Sequence, residues 1–228
     1  MLVYAHRGAS GEAPENTLHA FRRAIEAGSD GIELDIWPSA DGVPVVIHDR
    51  DISRTTDGTG MVDSLPLARL RDLDAGEGEP IPTLEEVLSL VDDRATLYIE
   101  VKGAGCEAAT LVLLRQYPAV RATLASFDAD ILRTLRSLAP DAEIWVIATG
   151  ADDDALALGA EVGATTLSLW HDGLTAGTVR DVQAAGHHVA AWTVNDVGEA
   201  ARLAGIGVVA ICTDHPGTLV PALRATPR

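Results

Sequence analysis

Glu33 and Asp35 stand two residues apart in Gly31-Ile32-Glu33-Leu34-Asp35-Ile36-Trp37, where apolar and acidic side chains alternate. Alternation with period two is the mark of a β-strand, and it puts both carboxylates on one face, roughly 6.6 Å apart. Two carboxylates that close resist ionising together unless a cation or a shared proton offsets them. A second run, Leu97-Tyr98-Ile99-Glu100-Val101-Lys102, repeats the device with Glu100 and Lys102 on one face. If both runs are strands of one parallel barrel, three carboxylates and an ammonium meet at one mouth, a place for a metal ion and an anion. Taken alone, the Glu33–Asp35 pair fits the wet face of a half-buried strand equally well. The rest of the chain weighs against that plainer reading.

The elements that would position these groups alternate strand and helix. Met1-Leu2-Val3-Tyr4-Ala5-His6-Arg7 begins as a strand, and a helix capped by Asn16 or Thr17 runs to Gly28. After the strand from Gly31, later units follow the same grammar: helix Thr83–Val91, strand Thr96–Lys102, helix Cys106–Tyr117 and strand Arg121–Phe127. Next come helix Asp130–Leu138, strand Glu143–Ala148, helix Asp152–Val162, strand Thr165–Trp170 and helix Thr175–Ala185. Strand His188–Val194, helix Val197–Ala204, strand Val208–Thr213 and a helix near Thr218–Ala225 complete the series. Gly28, Gly163, Gly186 and Gly205 fall where helices must end. Eight strands, each followed by a helix, predict a closed (β/α)8 TIM barrel rather than an open sheet. One such domain spanning 1–228 accounts for the length.

One region breaks the rhythm. Past the turn at Asp41-Gly42, Val43–Asp49 reads as an extra strand returning on the second. From about 50 to 82 the chain is loop-like, with one short helical piece at Leu67–Leu73, and reads as an insertion over the barrel mouth. Asp49, Asp51 and Ser53 mimic a calcium loop, but Arg54 occupies the position where that turn needs glycine. Gly58 and Gly60 start a dinucleotide-binding pattern that Asp63 breaks.

In a (β/α)8 barrel, chemistry sits at the C-terminal ends of the strands. His6-Arg7, Glu33, Asp35, Glu100, Lys102, Trp192 and Asp214 all fall there, and His48-Asp49 ends the returning strand. His19, His171, His187 and His188 have no such setting and read as structural or exposed. Lys102 is the only lysine in the chain. Compositional bias toward arginine explains that in part. The sharper explanation is a compact ammonium where a guanidinium fork would not fit.

Composition narrows the classes. An apolar content of 47% fits a globular protein, and a net charge of −17 argues against nucleic acid or an anionic membrane as partner. Two cysteines, Cys106 and Cys212, suggest no disulfide framework and a reducing setting. With no signal peptide or membrane segment, a cytoplasmic protein without a membrane anchor is expected.

In order, His6-Arg7, Glu15-Asn16, Glu33-Leu34-Asp35 and His48-Asp49 resemble the HR, EN, ExD and HD signature of the glycerophosphodiester phosphodiesterase family. The similarity continues through Arg54–Gly60, Ile81–Val87, Ile99–Lys102, Ala191–Asn195 and Thr213–Pro216, so it spans essentially the whole chain.

That resemblance implies a divalent cation on Glu33, Asp35 and Glu100, and all-oxygen ligation suits Mg²⁺ or Ca²⁺, with Mn²⁺ also accepted. It implies His6 and His48 as general acid and base, and Arg7 and Lys102 offsetting charge on the phosphate. Glu15 would orient one of these groups or simply start the first helix; Trp192 and Phe127 would line the alcohol side or simply pack. The implied reaction releases sn-glycerol 3-phosphate and an alcohol; direct attack by water and prior attack by the glycerol 2-hydroxyl both fit. A phospholipase D-like relative acting on lysophospholipids and a non-catalytic barrel binding a phosphodiester are the rival readings. Both a monomer and a homodimer fit the sequence.

Overall fold

A computed structural model describes residues 1–225, so the expected domain end at Arg228 lies outside the described residues. Strands β1 (Leu2–Ala5), β2 (Gly31–Pro38), β4 (Thr96–Val101), β5 (Ala122–Ser126), β6 (Ile144–Ala148), β7 (Thr166–Trp170), β8 (His188–Trp192) and β9 (Ala210–Thr213) run parallel. They close into a barrel because β1 pairs with both β2 and β9. β3 (Pro44–Val46) lies antiparallel on the upper half of β2, beyond the end of β1. The helices are α1 (Leu18–Glu26), α2 (Leu67–Leu70), α3 (Leu84–Val91), α4 (Glu107–Gln116), α5 (Ala129–Leu138), α6 (Asp153–Val162), α7 (Ala176–Ala184), α8 (Val197–Gly205) and α9 (Pro216–Ala225).

Most helices begin on a side chain that satisfies their first free N–H groups. Thr17, Asp128, Asp152, Thr175 and Asp196 each accept from the first turn, and Thr83 and Glu86 form a reciprocal capping box. Alternation along the strands then sorts side chains into two cores. Ile32, Leu34, Ile36, Leu97, Ile99 and Val101 face the helices, and each such buried side chain contributes roughly 1.5–3 kcal/mol by leaving water. Tyr4, Tyr98, Trp145, Ile147 and Cys212 fill the barrel itself. Tyr98 and Trp145 lie 5.0 Å apart between ring centres, with Tyr4 at 6.0 and 5.8 Å from them. This aromatic layer is a floor. Two residues further along β2 and β4, the inward positions become acidic.

Residues 50–82 bury a small cluster of Ile52, Val62, Leu70, Ala75 and Ile81 against Val45 and Ile47 beside β3. Both cysteines are buried free thiols. No helix among the described residues is long and apolar enough to cross a membrane.

Several expected boundaries shift. The returning strand ends at Val46, so His48 and Asp49 lie in the loop beyond it. Asn16 caps nothing: its φ of 58° is left-handed, and Thr17 caps α1 instead. Helix α8 continues through Gly205, and the left-handed residue that ends it is Gly207, with φ 98°. The expected helical piece at Leu67–Leu73 stops at Leu70.

Candidate active site

Glu33 and Asp35 both point into the barrel from β2, and the register pairs Asp35 with Glu100 on β4. Glu33, Asp35 and Glu100 are buried and each offers an oxygen within 4.8 Å of the others. Asp35 is the centre of charge: Asn16 Nδ2 donates to its Oδ2 at 2.9 Å, Arg7 Nε lies at 3.4 Å and Lys102 Nζ at 3.5 Å. Lys102 Nζ also donates to Glu100 at 2.9 Å, and the Arg7 backbone N–H donates to Glu33 at 2.8 Å. The left-handed φ of 55° at Arg7 turns that N–H out of the β1 ladder.

Burial and mutual repulsion act unevenly on these carboxyls. Burial, followed by the Asp35 charge, pushes Glu33 up to about 8 and Glu100 up to about 7. Asp35 is held below the ordinary range: burial opposes ionisation, but Lys102, Arg7 and the Asn16 hydrogen bond outweigh it. Three crowded oxygens of which two resist ionisation are a set that a divalent cation would neutralise. Their all-carboxylate chemistry fits a hard ion.

A pH-dependent outcome follows. A carboxyl whose folded pKa is raised contributes stability present below its ordinary value and lost as pH climbs through the raised one. In EDTA the Tm is therefore expected to fall between about pH 5 and about pH 8, through Glu33 and Glu100. His6, whose pKa is also raised, acts in the same direction, and His48, whose pKa is lowered, in the opposite one. A divalent cation held by these carboxyls would compete with those protons, so stabilisation by added Mg²⁺ or Ca²⁺ is expected to grow over the same range. Thermal melts with and without metal at several pH values check this; a metal effect that shrinks with pH contradicts it.

Two imidazoles flank the triad. His6 Nδ1 is 2.7 Å from Asp214 Oδ1, and Asp214 is itself fixed by Ser10 Oγ at 2.9 Å and Asn195 Nδ2 at 2.7 Å. His48 Nδ1 is 2.5 Å from Asp49 Oδ1, and Arg54 Nε donates to the other oxygen of Asp49. A carboxylate on Nδ1 fixes the tautomer and leaves Nε2 as the working nitrogen. The two rings differ in proton affinity. For His6, burial disfavours the imidazolium, but the Asp214 hydrogen bond and the Glu33 charge raise the net value. For His48, burial together with Lys102 and Arg7 wins, and the value is lowered.

His6, Arg7, Glu33, His48, Glu100 and Lys102 surround one small cavity of about 70 Å³, floored by Tyr98 and Cys212. Phe127 and Trp192 form its far wall, with ring centres 5.5 Å apart, and Trp170 stacks edge-on behind Trp192 at 5.0 Å. Phe127 is 46% exposed and Trp170 40%, so the rim keeps aromatic surface in water. Asp35 and Glu15 stand outside this lining; Glu15 accepts from Arg7 at 2.9 Å and so steers that guanidinium. A larger cavity of about 760 Å³, lined by Met1–Val3 and by α9 residues, opens at the opposite end of the barrel and gathers none of these groups. Size does not locate the chemistry here.

All ten residues singled out from the sequence thus converge on one mouth, eight in the lining and two behind it. Three further roles were missed. Asn16 holds Asp35, Asp214 orients His6, and Arg54 ties Asp49 to Glu15. The Glu15-Asn16 pair was visible as a motif, but its asparagine suggested only a helix cap. His19, His171 and His187 are placed elsewhere: His19 faces Glu77, His171 faces Glu199, and buried His187 bonds the Ala164 carbonyl.

A family model described as "Glycerophosphoryl diester phosphodiesterase family" matches residues 6–218. A glycerophosphodiester phosphodiesterase of Caldanaerobacter subterraneus is 35% identical over 98% of this chain and 98% of its own. Among solved structures, a phosphodiesterase of Oleispira antarctica in complex with the product sn-glycerol-3-phosphate superposes with a TM-score of 0.94. It is 31% identical and covers 99% of this chain and 97% of that one. A glycerophosphodiester phosphodiesterase from Agrobacterium tumefaciens follows with a TM-score of 0.85, 30% identity, and coverage of 97% and 99%.

Proposed function

The chain belongs to the glycerophosphoryl diester phosphodiesterase family, and from that premise we propose that it hydrolyses glycerophosphodiesters to sn-glycerol 3-phosphate and an alcohol. It is a phosphoric diester hydrolase with His6 and His48 as its acid–base pair and Glu33, Asp35 and Glu100 as its metal ligands. One observation carries this reading: two imidazoles, each oriented by its own carboxylate, face the same cavity as three clustered carboxylates. Binding a phosphodiester without reacting needs no such pair.

The shifts in proton affinity divide the work. His48, with its lowered value, is neutral and takes the proton from the attacking nucleophile, water or the glycerol 2-hydroxyl; His6, with its raised value, delivers one to the leaving alkoxide. Arg7 and Lys102 offset charge that builds on the phosphoryl oxygens, and Glu15 keeps Arg7 aimed at them. Glu33, Asp35 and Glu100 would hold a divalent cation, Mg²⁺, Ca²⁺ or Mn²⁺, which would supply Lewis-acid polarisation at the phosphate. Phe127 and Trp192 face the alcohol. The barrel with its insertion at about 50–82 works as one domain over 1–228, as a monomer or homodimer. Two buried thiols fit a reducing, cytoplasmic setting.

The exposed rim aromatics keep a second substrate in view, lysophospholipid, cleaved as a phospholipase D would. The deciding assay is release of glycerol 3-phosphate from glycerophosphocholine with Mg²⁺ or Ca²⁺ and with EDTA. Metal-dependent release that EDTA abolishes is the expected result. No release from glycerophosphocholine, glycerophosphoethanolamine or glycerophosphoglycerol under any of these metals would sink the assignment, and product from lysophosphatidylcholine alone would move it to the second reading.

A further inference from the structure

Arg54 lies outside the cavity, on the short 3₁₀ turn Ile52–Arg54 of the insertion, with its side chain 47% exposed. Its guanidinium nevertheless makes three donations to two carboxylates. Nε donates to Asp49 Oδ2, while the two terminal nitrogens donate to Glu15, one to Oε2 at 3.0 Å and one to Oε1 at 2.8 Å. Each carboxylate has a second client. Asp49 holds His48 Nδ1 at 2.5 Å, and Glu15 Oε1 receives Arg7 NH1 at 2.9 Å. One planar fork therefore joins two hydrogen-bond chains, Arg54–Asp49–His48 and Arg54–Glu15–Arg7, which arrive at the cavity from β1 and from the loop after β3.

We propose that Arg54 is a positioning residue that fixes His48 and Arg7 relative to one another, so that the insertion is a working part of the active site. An exposed arginine beside one carboxylate contributes little. Bidentate grip on one carboxylate and a third bond to another is a different arrangement, because it orients planes as well as neutralising charge. Lysine cannot reproduce it: an ammonium has no fixed fork. The turn that presents Arg54 is itself anchored, with Asp51 accepting from Ser53 N–H and Ile52 fully buried in the cluster of the insertion.

The kinetic consequence rests on the hydrolase reading above. R54A is expected to lower kcat roughly 10–100-fold, the usual cost of losing an orienting partner, with R54K only partly restoring it. Methylguanidinium added to R54A should recover part of the lost turnover and recover none in His48→Ala. Wild-type kcat in R54A, or a loss that methylguanidinium leaves untouched, would overturn the proposal.

A second readout needs no turnover. His6 and His48 each hold an Nδ1 proton against a carboxylate, and such protons resonate far downfield in the NMR spectrum. In R54A the His48 signal, identified by its absence in His48→Ala, should broaden or vanish while the His6 signal on Asp214 persists. Retention of both signals, or loss of both, overturns the brace. Inactivity of the wild type on every diester would instead defeat the hydrolase reading and leave this spectrum to decide on Arg54.

Discussion

His6→Ala and His48→Ala are each expected to lower kcat by about 10²–10⁴-fold, the usual contribution of a well-placed acid or base, with Tm close to wild type. The packing of the barrel does not depend on either ring: their side chains are 18% and 28% exposed, and neither belongs to an apolar cluster. What is lost is a proton path. The double variant should be hardly worse than the poorer single one, because residues that act as a unit are non-additive. The wild-type pH–rate profile should rise on the acid side as His48 loses its proton and fall on the alkaline side as His6 loses its own. Lowering the one and raising the other widens the plateau between them. Glycerophosphocholine turnover in the single variants checks the proposal, and near-wild-type kcat in either of them would remove that histidine from it.

Asp35→Ala should be the most damaging change among the proposed metal ligands, costing about 3–5 kcal/mol of stability as well as any response to metal. Asp35 is 1% exposed and holds Asn16, Arg7 and Lys102 at 2.9, 3.4 and 3.5 Å. Without it, Lys102 keeps only Glu100, Arg7 keeps only Glu15, and the Asn16 amide loses its acceptor. Glu33→Gln provides the contrast. Burial and the Asp35 charge already keep Glu33 reluctant to ionise, so a neutral amide relieves repulsion and the metal-free protein should be at least as stable as wild type. Urea unfolding in EDTA distinguishes the two. An Asp35→Ala protein as stable as wild type would show that Asp35 is not the charge centre, and EDTA-sensitive turnover surviving in either variant would exclude that residue as a ligand.

Local periodicity made the barrel and the acidic face legible. Alternation in Gly31–Trp37 and Leu97–Lys102 determines which side chains share a face, and the strand–helix count determines that the faces turn inward together. The register that sets Asp35 beside Glu100 comes from the fold, since alternation alone leaves it open by two residues. What the sequence concealed are contacts with no local period. Asp214 reaches His6 across 208 residues, and Arg54 reaches Glu15 across 39. Asn16 misled for another reason. Beside a helix start an asparagine reads as a cap, whereas here a left-handed backbone turns its amide onto Asp35. Arg54 was visible as the residue that spoiled a calcium-loop pattern and as the start of the run Arg54–Gly60 shared with the family, and neither named its contacts. A charged side chain on an irregular loop carries no sign of where it points.

The seam between β1 and β9 also governs the order in which the site can come into being. His6 follows the first strand and Asp214 follows the last, and Ala5 pairs with Thr213 where the barrel closes. During synthesis the carboxylates of β2 and β4 emerge early, and Arg54, Asp49 and His48 are present well before the second half of the chain is made. His6 has no orienting partner until β9 has left the ribosome and docked against β1, the strand pairing of longest sequence separation in the barrel. The His6–Asp214 pair, unlike the carboxylates shared by β2 and β4, is thus a product of closure, and any turnover that depends on it awaits the last strand.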